Sequence, residues 1–388
     1  MITRDDIREL ANFQSSEGCA FSFYFQPSTP QNKSHREEAI LAKDLVKQAL
    51  REAEKNGKNG CARSDLDRIL DVAERLHGNQ GRAKAVFACG RKNLWREFDL
   101  PPRLAGTRLF VNQRFHLRPL TALADVLPRV CIALVDRSRA RIFELWMDEI
   151  AEKEKFTSEL PRRGRSDGFL GYDAGHVERH VDHEAMHHFK KVGDRLRELQ
   201  EAVRYDRFLV GCRDETWAEI EPYLHPYVRQ RLVGHFAMDV TAADSDQVRR
   251  QSEHLLSAFR AHRRQGLVKE AIGEAQRNGR GALGLRRVLR SLQTGEVQTL
   301  LLAQGFAAPA AECLKCGHLD SHIVQHCGVC GAETKELEDV ADALLGMAVR
   351  SAIEIVHVGA DPEFEKVGNI AALLRFRADQ NTEEKKAG

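Results

Sequence analysis

Two pairs of cysteines carry the clearest chemical signal in this chain of 388 residues: Cys313-Leu-Lys-Cys316 and Cys327-Gly-Val-Cys330, ten residues apart. A CxxC turn presents two thiolates from one tight piece of backbone. Two such turns can close a tetrahedral Cys₄ set, whose geometry and softness suit Zn²⁺. A glycine follows each pair, Gly317 and Gly331, where a turn gains most from having no Cβ. Four protein ligands leave no open coordination position, so a zinc ion here is expected to be structural. Other readings stand beside this one. A redox dithiol needs only one CxxC, iron–sulfur clusters favour other spacings, and a degenerate loop holds no metal at all. His318, His322 and His326 are close enough in sequence to compete as ligands. The remaining cysteines, at 19, 61, 89, 131 and 212, lie mostly in or beside apolar runs and read as reduced core thiols in a reducing compartment.

A second cluster is imidazole. His176, His180, His183 and His187 follow i, i+4, i+7, i+11 spacing, with His188 beside them, so four of them share a face if one helix includes them all. Imidazoles at i, i+4 can chelate a metal. A solvated polar face is the plainer reading. Arg179, Lys190 and Lys191 in the same stretch weigh toward a surface that meets nucleic-acid phosphates and bases. Before it lies a polar loop, 161–175, carrying Arg162, Arg163 and Arg165 and then Ser166-Asp167-Gly168-Phe169. The loop is neither a Walker A nor a GxGxxG strand-to-helix turn, and the chain shows no Ser-His-Asp nucleophile elbow. Evidence for an enzyme from motifs alone is therefore thin.

Composition bounds the rest. With 42% hydrophobic and 30% charged residues the chain is globular in character, and no apolar run is long enough to span a bilayer. The N-terminus, MITRDDIREL, lacks a signal-peptide h-region, so a cytoplasmic protein is expected. Net charge is +2, unevenly spread: 260–290 carries nine basic and two acidic residues, 331–388 seven basic and twelve acidic. A basic stretch beside an acidic one suits RNA on one face and a protein on another, or two solvated helix faces.

The elements that must position these groups fall into three segments, expected as domains at 1–127, 128–263 and 264–378, with a ribbon at 311–333 and a disordered tail at 379–388. In the first, a short helix precedes a strand at 20–25, helices cover 35–55 and 66–76, a strand covers 85–89, and 107–119 suggests further strands. In the second, 130–135 and 140–146 form a hairpin around Asp136-Arg137-Ser138, with a third strand at 152–156. A helix is expected from Asp182 to Val203, with Met186, Phe189, Val192, Leu196 and Leu199 facing the core. Strands at 208–211 and 232–239, a helix near Glu215 and a helix at 243–261 complete an α/β unit. The third opens near Gln265, with two helices around Asn278-Gly279-Arg280-Gly281, a strand at 297–303, the cysteines, a helix at 337–351 and strands at 353–358 and 370–376.

In this order the segments resemble the archaeo-eukaryotic class-1 peptide-chain release factors and their relative Pelota. The likeness is greatest to the bacterial branch, which includes Balon-like ribosome-hibernation factors. Ser158-Glu-Leu-Pro-Arg-Arg-Gly-Arg165 is similar to the family's "DLPKKHGRGGQS" loop, and Arg179-His180 with Phe189-Lys190-Lys191-Val192 to its "RH…RKVAE" helix. Leu285-Arg-Arg-Val-Leu, Gly295-Glu-Val-Gln-Thr-Leu-Leu-Leu302 and Gly368-Asn-Ile-Ala-Ala-Leu-Leu-Arg-Phe376 resemble elements of the third domain, including its closing "GGIGAILRY" strand. The resemblance implies an α/β, three-domain architecture: a mixed-sheet N-terminal domain near the decoding site, an α/β middle domain, and an α/β third domain with a zinc-ribbon insertion.

The departures set the functional expectation. The family's Gly-Gly-Gln tripeptide is absent; Ser166, Asp167, Gly168 and Phe169 stand at its position, and 161–175 contains no glutamine. Asn32-Lys33-Ser34 resembles the family's Asn-Ile-Lys-Ser but is one residue short. The resemblance then implies a factor that binds the ribosomal A site and ribosomal RNA of both subunits without releasing peptide, in hibernation, a stalling response or rescue. It also implies a translational GTPase of the elongation factor Tu class as partner, and a monomer off the ribosome. Arg162, Arg163, Arg165, His176, Arg179, His180, Lys190 and Lys191 are the expected RNA contacts. The alternatives are a peptidyl-tRNA hydrolase using Asp167, His176 or His180 in place of glutamine, and an RNA-binding module unrelated to the ribosome.

Overall fold

Continuous apolar runs become the central strands. In the computed structural model, which describes residues 2–15, 19–26, 35–55, 59–75, 82–158 and 172–376, every residue of 20–25 and 130–135 is buried. A strand covered on both faces has no solvent side on which to place polar residues. The chain divides into two compact units, Met1–Asp125 with Arg264–Gly388, and Val126–Arg263.

The N-terminal part of the first unit contains α1 (Arg4–Asn12), β1 (Ala20–Phe25), α2 (His35–Lys55), α3 (Asn59–Arg75), β2 (Ala83–Cys89), β3 (Leu94–Leu100), β4 (Arg108–Asn112) and α4 (Arg118–Val126). Thr3 and Asp6 close a capping box that starts α1. The sheet is antiparallel with order β3-β2-β1-β4. Ala42, Val46, Leu66 and Ile69 of α2 and α3 cover Phe21, Phe23, Val86 and Ala88 on one face. The expectation of several strands over 107–119 is corrected: one strand ends at Asn112 and a helix starts at Arg118.

The second unit contains β5 (Val130–Val135), β6 (Arg139–Trp146), β7 (Glu149–Thr157), α5 (Tyr172–Val203), β8 (Arg207–Gly211), α6 (Asp214–Ile220), α7 (Pro226–Arg229), β9 (Leu232–Phe236) and the first part of α8 (Ser245–Gln276). Its sheet runs β7-β6-β5-β8-β9, antiparallel across the hairpin and parallel from β5 onward. Ala185, Phe189, Val192 and Leu196 of α5 pack on one face; Val248 and Leu256 of α8 pack on the other. β7 is an edge strand rich in Glu and Lys, a composition that discourages edge-to-edge pairing.

The last part of α8 and the elements β10 (Gly281–Leu283), α9 (Leu285–Gln293), β11 (Val297–Ala303), β12 (Ala310–Cys313), β13 (Leu319–Asp320), β14 (Thr334–Leu337), α10 (Ala341–Arg350), β15 (Glu354–Val358), α11 (Pro362–Lys366) and β16 (Ile370–Leu374) complete the first unit. One sheet has order β10-β16-β11-β15, and a three-stranded antiparallel ribbon has order β13-β12-β14. Helices α9 and α10 cover one face of the larger sheet; Val268 and Ala271 of α8 with Phe364 of α11 cover the other. A helix ending at Ala261 is not found: α8 runs unbroken to Gln276, through Gly266, where an added Cβ would meet open space.

Candidate functional site

The four cysteines converge. Cys313 ends β12, and the turn after it brings Cys316 beside it. The Gly317 N–H donates to the Cys313 carbonyl at 3.1 Å, and the Gly331 N–H donates to the Cys327 carbonyl at 2.9 Å. The Cys313 N–H reaches the His318 carbonyl and the Cys327 N–H the Ala332 carbonyl, both at 2.8 Å. The two knuckles are thus the same turn used twice. Gly317 and Gly331 take φ of +70° and +71°, a region costly for any residue with a Cβ.

The sulfurs of Cys313 and Cys330 lie 3.4 Å apart, those of Cys316 and Cys330 3.5 Å, and those of Cys316 and Cys327 3.6 Å. All four lie within 4.8 Å of one another. Zinc–sulfur bonds of ~2.3 Å place tetrahedral sulfurs ~3.8 Å apart, whereas a disulfide needs ~2.05 Å. The set therefore fits a four-thiolate metal cage and is not a pair of disulfides. Backbone N–H groups of Cys316 and Lys315 donate to the Cys313 sulfur, and that of Val329 to the Cys327 sulfur, each at 3.4 Å. The Cys316 and Lys315 amides hold the Cys313 thiol down at about 6. Cys316 is favoured as thiolate by the His318 amide, but the hydrogen bonds it shares with Cys313 and Cys330 outweigh this and push it up to about 12. Four cysteine sulfurs this close could hold a metal ion among them. His318, His322 and His326 are not in the cluster; His322 turns to Asp320 at 3.4 Å.

The ribbon is tied to its surroundings at both ends. The Gln293 side chain of α9 donates to the Leu319 carbonyl at 2.9 Å. Glu312, one residue before Cys313, pairs with Arg114 and, at 3.2 Å, with Lys335. Burial alone would raise the Glu312 carboxyl; Arg114 and Lys335 outweigh it and hold the group below its ordinary value. Cys19, Cys89, Cys131 and Cys212 are buried core thiols, as expected. Cys61 has no described side chain.

The histidine-bearing helix is longer than expected, starting at Tyr172 rather than Asp182, so His176, His180, His183 and His187 do share one helix. The side chains of His176 and His180 fall outside those described. His183 and His187 are exposed and meet edge to face at 4.4 Å between centroids. Two expectations on this helix are corrected. Met186 is 39% exposed and does not face the core. His188 is buried beneath the surface: its Nδ1 lies 2.8 Å from the Ser158 hydroxyl, and desolvation lowers its pKa. A histidine with a hydroxyl partner can replace an apolar residue in a core, which the spacing of charges alone does not reveal.

Arg179, Lys190 and Lys191 are exposed. Lys190 and Lys191 line a shallow cleft between β7 and α5 with Phe156, His187, Arg195 and Glu154. Lys191 lies 5.2 Å from the Phe156 ring centroid, a cation–π distance. Arg195 is engaged by Glu154 and Glu198. Arg162, Arg163, Arg165 and Ser166, Asp167, Gly168 and Phe169 lie outside the described residues.

Residues 116–260 match the family model for bacterial archaeo-eukaryotic release factor family 10. The chain is 24% identical over 379 residues to peptide chain release factor subunit 1 of Thermococcus onnurineus, covering 89% of this chain and 86% of that one. It is also 24% identical over 310 residues to the same factor of Pyrococcus abyssi, covering 72% and 74%. A structure of ribosome-bound archaeal Pelota is 16% identical with a TM-score of 0.41, covering 76% of this chain and 78% of that one. Among the described residues no helix is long and apolar enough to cross a membrane. Through its middle segment the chain is thus similar to a bacterial family of archaeo-eukaryotic release factors, and along most of its length it is similar to archaeal peptide chain release factors.

Proposed function

We propose that this protein is a ribosome-binding translation factor that occupies the A site without releasing peptide, in hibernation, a stalling response or rescue. One observation carries the reading: a chain that aligns with release factors along most of its length has no glutamine anywhere in 161–175. In those factors the tripeptide positions the water that attacks the peptidyl-tRNA ester. Without it the chain retains the means of binding and loses that of hydrolysis.

Binding is the work of the middle domain, 128–263. Exposed Arg179, Lys190 and Lys191 on α5 would contact ribosomal RNA phosphates, and Arg162, Arg163, Arg165, His176 and His180 join the proposed contacts by their sequence positions. Residues 1–127 sit toward the decoding site of the small subunit. The third domain, 264–378, takes a translational GTPase of the elongation factor Tu class, and the site of action is the cytoplasm. Cys313, Cys316, Cys327 and Cys330 hold a Zn²⁺ ion, which supplies cross-links to the ribbon and no chemistry on a substrate.

Co-sedimentation at physiological salt tests the reading. The protein is expected in the ribosomal fraction of a stationary-phase extract; a chain wholly in the free fraction refutes it. Purified protein is expected to release no peptide from stalled ribosomes. Release that disappears in Asp167→Ala would replace this reading with the hydrolase.

A further inference from the structure

We propose that metal binding at the four cysteines locks residues 113–118 of the N-terminal part against the third domain, with Glu312 as the coupling residue. This goes beyond the ribosomal reading and rests only on the metal reading of the cysteines.

β12 is the middle strand of the ribbon, and its last residue is the ligand Cys313. Successive residues of a strand face opposite ways, so Glu312 points away from the ligand face. Cross-strand pairing sets Glu312 opposite Lys335 and Cys313 opposite Thr334. Beyond Glu312 and Lys335 stands the segment that follows β4. Arg114 pairs with Glu312, and the Lys335 ammonium donates to the Gln113 side chain. The Glu312 side chain is only 3% exposed, so its charge depends on these partners.

The ribbon has little else to hold it. Leu314, Ile323 and Val329 are exposed by 61%, 57% and 69%, and Leu319 is its one large buried apolar residue between the first and last cysteines. A unit with so small a core depends on its metal for structure. Only four residues, 331–334, separate the ligand Cys330 from Lys335. Loss of the metal frees Cys313 and Cys330 together and with them the strand pair that presents Glu312 and Lys335. The next contacts along the seam lie on α10 and the loops before it, outside the ribbon: His116 to Asp342 at 2.6 Å, and Arg118 to the Phe306 carbonyl at 2.5 Å and to Asp339 at 3.2 Å. Release therefore begins at Gln113 and Arg114 and leaves the helical contact of α1 with α10 in place.

Hydrogen exchange read by mass spectrometry on the full chain tests this. With zinc bound, and its stoichiometry measured, peptides over 113–118 are expected to be protected. Stripping the metal with a chelator under reducing conditions is expected to speed their exchange at least roughly ten-fold, the factor for losing one charge-assisted hydrogen bond. β11 and β16 are expected to stay protected. Glu312→Gln is expected to keep its zinc and show the same faster exchange; if it does not fold, Arg114→Met reads the same contact from the other side. A chain that takes up neither zinc nor cobalt refutes the site itself. Uptake with no change at 113–118, or a change spread equally to β11 and β16, refutes the coupling while leaving ribosome binding untouched.

Discussion

Two glycine-to-alanine changes in long helices are expected to move stability in opposite directions. In a helix interior alanine is ordinarily better than glycine by ~0.5–1 kcal/mol, because the unfolded chain has less freedom to lose. At Gly266 in α8 an added Cβ meets nothing within 4 Å, so that gain is expected in full. At Gly193 in α5 the same Cβ would stand 2.3 Å from the Tyr223 carbonyl oxygen and 3.1 Å from its carbon. The obstacle is backbone, so no rotamer change relieves it, and the helix must move by about 1 Å to restore a normal contact. Overpacking of this kind costs ~1–3 kcal/mol, which exceeds the helix gain. Gly193→Ala is therefore expected to destabilise the second unit by ~0.5–2 kcal/mol and Gly266→Ala to stabilise the first by up to ~1 kcal/mol. Urea titration followed by near-UV signals from each unit reads both through the midpoint at constant slope. If Gly193→Ala raises the midpoint as Gly266→Ala does, the close approach of α5 to residues 221–223 is wrong.

Other outcomes follow from single contacts. The Thr121 hydroxyl donates to the Arg118 carbonyl, so it accepts from His357 Nε2 at 3.1 Å; burial holds this imidazole neutral down to about 4. Because the folded pKa lies below the unfolded ~6.5, the unfolded chain takes up the proton first. Stability is complete above pH ~6.5 and falls by up to ~1.4 kcal/mol per unit toward pH 4. Calorimetry across that range should show a shallower acid slope in His357→Gln; an unchanged slope rules His357 out as the source. Arg141 holds both Glu152 oxygens through Nε and Nη2 and donates from Nη1 to the Val240 and Ala243 carbonyls, so Arg141→Lys should cost ~1–3 kcal/mol in chemical denaturation, and a neutral result would show that the fork is dispensable. Lys190→Glu with Lys191→Glu should weaken ribosome co-sedimentation and flatten its salt dependence, since fewer counterions are then released. Binding that stays as tight and as salt-sensitive removes this face from the interface.

Much of this protein was legible in its residues alone. The strands 20–25 and 130–135 stand where apolar runs of six residues put them, because a run of that length is buried on both faces. β3 was not legible: in Leu94–Leu100 only Phe98 and Leu100 are buried, and the rest of an outer strand answers to solvent. The convergence of Cys313, Cys316, Cys327 and Cys330 followed from spacing, since a CxxC turn is local chemistry. Which side of α5 faces the core did not. Phe189 and Val192 are buried as periodicity expects, but His188 takes an interior place beside Ser158 and Phe156, and Met186 is left outside. That choice depends on a strand end thirty residues away in the chain. The same holds for the cysteines. Their grouping is written in sequence, whereas the placing of Arg114 on Glu312, across 198 residues of chain, is decided only when the tertiary fold brings a buried charge to a cation that can satisfy it.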